Sequence, residues 1–106
     1  MAQLENDTSK LSTLLFDINK ISYDCRDMDE QFACEDIESI KSIINKFINS
    51  SDKLSEEDLS DLVYYFQSLD KMELHNTSIV GQIKNKLLQN DIMIVEALHN
   101  AIYTRH

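Results

Sequence analysis

From Leu11 onward the apolar positions fall at Leu11, Leu14, Ile18, Ile21, Cys25, Met28 and Phe32, in alternating steps of three and four. That is an a/d seam sustained for three heptads, with Leu15 widening the stripe. It predicts one helix over residues 9–32, capped by Thr8 or Ser9 and roughly 35 Å long at about 1.5 Å per residue. The register breaks at Ala33 and resumes as Ile37, Ile40, Ile43, Ile44, Phe47 and Ile48, a second amphipathic helix ending near Asn49.

The polar run NSSDK then leads to Leu54, Ser55, Glu56, Glu57, Asp58 and Leu59, where Ser55 is placed to cap the amide three residues on. Asp58 stands where a capping-box carboxylate reaches back, and Leu54 and Leu59 have the spacing of a hydrophobic staple. Glu56 and Glu57 in the first turn suit the helix dipole. A third helix follows, with Leu59, Leu62, Val63, Phe66 and Leu69 inward and an end near Asp70 or Lys71. After the loop KMELHN, a fourth helix capped at Asn76 or Thr77 turns Ile79, Val80, Ile83, Leu87 and Leu88 inward. A break at Asn90–Asp91 is favoured over one continuous helix, giving a short fifth helix with Ile94, Val95, Leu98 and Ile102 inside.

The fold expected is all-α, a small bundle of four to five helices in a single domain, residues 1–106, with a long N-terminal helix. Helices two to five suffice for a bundle, so the first reads as an arm that either folds back or pairs with another chain. Leu11, Leu14, Ile18, Ile21, Met28 and Phe32 form the candidate seam for a homodimer or a partner's helix. Composition agrees: one glycine, Gly81, and no proline leave few of the residues that make hairpins. One hundred and six residues allow one core of useful size. The chain has no 18-residue apolar run, and MAQLENDTSK lacks the order of a secretion signal, so a cytoplasmic protein is expected. There the two cysteines, Cys25 and Cys34, are expected to be reduced.

Charge narrows the function. The net −9 is concentrated in residues 24–38, DCRDMDEQFACEDIE, which carry −6, and in residues 52–61, which carry −4; from Lys71 onward the balance is +1. Phosphate backbones and anionic membranes repel such a surface, so no direct nucleic-acid or membrane binding is expected, and a basic protein is the favoured partner.

Chemistry beyond charge is sparse. Asp27, Asp29, Gln31, Glu35 and Glu38 fit oxygen-ligand positions of a twelve-residue calcium loop, but the position that needs glycine is Phe32. Cys25, Cys34 and His75 lack the close cysteine spacing of structural zinc modules. The three histidines are scattered, and there is neither a nucleophile elbow nor a glycine-rich phosphate loop. No catalytic, metal or cofactor residue is therefore expected.

The reading is a non-enzymatic regulator, immunity or inhibitor protein, or a nucleic-acid mimic, of bacterial or phage character. It would occlude a basic partner with Asp24, Asp27, Asp29, Glu30, Glu35, Asp36, Glu57 and Asp61, anchored by an aromatic such as Tyr65. Of the adjacent pair Tyr64 and Tyr65, at least one is expected to face outward beside Glu57 and Asp61. The alternative is a secretion or assembly chaperone that holds a partner helix along the Leu11–Phe32 seam. In apolar spacing, FINSSDKLSEED and NTSIVGQIKNKLLQND resemble small bacterial biofilm-development regulators, which are helical, often dimeric and non-enzymatic. The resemblance covers about half the chain and assigns no residue a role.

Overall fold

A computed structural model describes residues 2–21, 28–74 and 78–104, excluding the side chains of residues 2–4 and 28–30. Five α-helices follow one another: α1 (Ala2–Asn19), α2 (Met28–Ser50), α3 (Glu56–Lys71), α4 (Ile79–Gln89) and α5 (Asp91–Tyr103), with a 3-10 turn, Ser51–Lys53, between α2 and α3. No strand occurs among the described residues, and the bundle measures 44 × 25 × 19 Å. The longest helix, α2, is central: it packs against α1, α3 and α4, while α5 closes the bundle against α3, α1 and the 3-10 turn.

The first helix departs from expectation at both ends. It begins at Ala2, so Thr8 and Ser9 lie inside it rather than capping it, and Thr13 Oγ1 donates to the Ser9 carbonyl at 3.0 Å. It ends at Asn19, where the Ile21 amide reaches back only three residues to Ile18 O at 3.0 Å, a tightened final turn. The heptad steps that continue through Cys25 and Met28 therefore cross a connection and enter the next helix. A straight helix to residue 32 would carry its apolar stripe away from the bundle, whereas folding back puts Leu11, Leu14 and Ile18 at 0 to 6% exposure. Helix α1 is thus part of the core and not an arm.

The other helices follow their patterns except at Ile79, expected inside but 48% exposed in the first turn of α4. Ile37, Ile40, Ile44 and Phe47 of α2 meet Leu62, Phe66 and Leu69 of α3 in one core cluster with Val80, Ile83 and Leu87 of α4 and Ile94 and Leu98 of α5. The α4 cap is Ser78, whose Oγ accepts from Gly81 N at 2.9 Å, instead of Asn76 or Thr77, which lie outside the described residues. Asn90 divides α4 from α5 and stands at the N-cap position of α5, but its side chain does not cap that helix: its amide donates backward to Lys86 O at 2.8 Å.

Candidate protein-binding face

The best-defined functional candidate is the outer face of α3, and its position is fixed from the first turn. Ser55 Oγ accepts from Asp58 N at 3.3 Å while Asp58 Oδ2 accepts from Ser55 N at 2.9 Å, the reciprocal capping box expected from the sequence. The same carboxylate oxygen takes Lys46 Nζ at 2.9 Å, which ties the start of α3 to the end of α2. Burial, the largest single influence, pushes the Asp58 carboxyl up, but the Lys46 and Ser55 hydrogen bonds and the Lys46 charge together hold it below the usual range. Asp58 is therefore committed to the scaffold. Glu56 is committed as well, accepting a hydrogen bond from the Tyr103 hydroxyl that raises the phenol's pKa.

Glu57 and Asp61 differ from those two. Both are exposed, and among the described residues neither carboxylate has an ion pair or hydrogen bond. With Tyr64, 64% exposed, they stand at i, i+4 and i+7, one stripe opposite the buried Leu62, Phe66 and Leu69. Tyr64 meets Tyr65 edge-on with ring centroids 5.6 Å apart. Tyr65, the aromatic anchor expected from the sequence, is half-buried against the core and supports Tyr64. Tyr64 is the exposed ring. Its spacing from Glu57 and Asp61 was the signal that distinguishes it, since a residue seven on from an exposed carboxylate shares its face.

The rest of the expected acidic surface is dispersed. Glu35 is exposed on α2, whereas Asp36 is buried at 9% exposure with Oδ2 lacking a hydrogen-bond partner. Asp36 thus leaves the wet face because it lies on the core side of α2 near Ala33 and Ile37. Asp24 and Asp27 lie outside the described residues, as do the side chains of Asp29 and Glu30. The Lys46–Asp58 bridge places the start of α3 eleven residues along α2 from Glu35, about 16 Å of helix. Glu35 consequently does not share one patch with the α3 carboxylates.

The expected apolar seam also divides. Leu11, Leu14 and Ile18 are buried within this chain, and Ile21 packs partly buried against the same core. Phe32 is 69% exposed, on a different helix from the first three, so it is not their continuation. Met28 opens α2 with its side chain outside the described residues.

The calcium-loop alternative conflicts with the backbone, because Asp29 to Glu38 lie in the helix α2 and not in a loop. Among the described residues no group of three or more His, Cys, Asp or Glu is arranged to hold a metal. Cys34 is buried and disulfide-bonded, correcting the expectation of a reduced thiol; Cys25, the chain's other cysteine, and His75 lie outside the described residues.

Between α1 and the α4–α5 junction runs an open groove of about 530 Å³, lined by Lys10, Thr13, Asp17, Lys86, Asn90 and Met93 among others. Lys86 pairs with Asp17 at 3.7 Å across it. No family model matches this chain, and neither a curated protein nor a solved structure is significantly similar to it.

Proposed function

We infer that the protein is a non-enzymatic binding protein that engages a basic protein segment with the outer face of α3. One observation carries the reading: two exposed carboxylates without partners among the described residues, Glu57 and Asp61, share one stripe with an exposed tyrosine, Tyr64, on a helix anchored at its start. Opposed charge would accelerate encounter and set orientation, while Tyr64 supplies the apolar contact that prolongs residence. The net charge of −9 disfavours nucleic acid and favours a basic protein. The open groove, whose lining acid is already paired with a lysine, offers little for acid–base chemistry.

The test uses a lysine- and arginine-rich amphipathic helical peptide as probe, titrated against the full chain by fluorescence anisotropy. Binding should fall clearly between about 50 and 500 mM salt, and Glu57→Lys with Asp61→Lys should weaken it at least about tenfold. Tyr64→Ala should weaken it similarly at both salt concentrations. Binding indifferent to both salt and charge reversal would remove the proposal.

A further inference from the structure

Helix α5 has a different surface from the rest of the molecule. Nine of its thirteen residues are apolar, more than one buried face can use. Ile94, Ala97, Leu98 and Ala101 fill the core. Opposite them, at i, i+4, i+7 and i+11, Ile92, Glu96, His99 and Tyr103 face water, with Ile92 at 71% exposure and Tyr103 at 45%. Half-buried Val95 borders this stripe. In a chain of net charge −9, the stripe contains a single formal charge, Glu96.

The stripe is also symmetric about its midpoint. Ile92 and Tyr103 stand equally far from the point between Ala97 and Leu98, and so do Glu96 and His99. An antiparallel copy of α5 laid across a two-fold axis at that point would therefore set Ile92 against the second Tyr103 and Glu96 against the second His99, each contact made twice. The His99 ring can donate an N–H to the Glu96 carboxylate, and the apolar ends close over one another. Tyr103 is already held for this role: its ring packs on His99 with centroids 4.5 Å apart, and its hydroxyl donates to Glu56. The outer face of α3, with Glu57 and Asp61, would repel a second copy, whereas each Glu96 on this stripe would meet a histidine.

We propose that α5 is a homodimer face in which the Ile92, Glu96, His99 and Tyr103 stripe pairs antiparallel with the same stripe of a second copy. The dimer expected from the sequence is thereby carried by the last helix, since the first has spent its seam on the core. A single helix pair covers less than the roughly 1,600 Å² of a standard interface, so association should be weak and depend on concentration. This face is separate from Glu57, Asp61 and Tyr64 and does not rest on the partner proposed for them.

Sedimentation of the full chain over about 1 to 300 µM tests it. The mass should rise from 12.3 kDa toward twice that value. Ile92→Glu, with unchanged helicity by circular dichroism, should weaken association at least about tenfold. His99→Glu, which sets two carboxylates together, should also weaken it, and Glu96→His combined with His99→Glu should restore it because the pair is reciprocal. A monomer throughout the range would overturn the proposal. So would a dimer untouched by Ile92→Glu, or a double variant no better than His99→Glu alone.

Discussion

The two ends of the chain use hydrophobicity to different extents. Helix α1 has seven apolar residues among eighteen, places Leu11, Leu14 and Ile18 inside and leaves Phe16 outside under the Lys20 ammonium. Helix α5 has nine among thirteen, fills the core with one face and leaves Ile92 and Tyr103 in water with the other. A clean heptad pattern thus marks a face that the chain can satisfy by itself. Apolar residues in excess of one face mark a helix whose outer side has an unmet demand.

The largest effects should come from breaking the buried side of this contrast. Ile18→Ala in α1 and Leu98→Ala in α5 each empty a site at 0% exposure and should cost about 2–5 kcal/mol by denaturant unfolding. A cost for Ile18→Ala below about 1 kcal/mol would mean that α1 is the detachable arm after all.

Next in size is the way the helices begin. The α3 start is fixed by a capping box and a lysine, whereas the α5 start has no side-chain cap. Asp58→Ala should therefore cost about 1–2 kcal/mol. Because the Asp58 carboxyl is held below its ordinary value, its contribution is complete above the unfolded pKa of about 4 and is lost as pH falls through the lower folded value. Acid titration of wild type against Asp58→Ala should show the two stabilities converging below pH 4.

Asp36 gives a smaller effect of opposite sign. Among the described residues its buried Oδ2 has no partner, so Asp36→Leu, similarly branched though larger and without the orphaned acceptor, should stabilise by about 1 kcal/mol. Destabilisation would show that the carboxylate is needed in the fold. The smallest effect on the folded monomer should be that of Ile92→Ala, within about 0.5 kcal/mol in dilute solution, because this side chain is exposed. Its consequence should instead appear in the sedimentation mass at high concentration.

Much of this architecture was legible in the sequence because it rests on local physics. The capping box at Ser55, the inward positions of α2 to α4 apart from Ile79, and the division at Asn90 follow from residues within a turn or two of one another. The α1 boundary was not legible, because the heptad steps run on through Ile21, Cys25 and Met28 and no proline or glycine interrupts them. The candidate site was half legible: Glu57 and Asp61 have the expected exposure, while Asp36 and Tyr65 turn inward and Tyr64 replaces Tyr65 at the surface.

The sequence by itself determined an all-helical chain, most of the faces its helices would bury, and a net charge of −9. Only the tertiary structure decided that α1 folds back, that Asp36 turns into the core while Glu35 stays far from the α3 carboxylates, and that α5 retains an apolar outer stripe. The physical reason is range. Periodicity and capping act within a helix, whereas the choice among several apolar stripes for one core of limited volume is a competition that packing alone resolves.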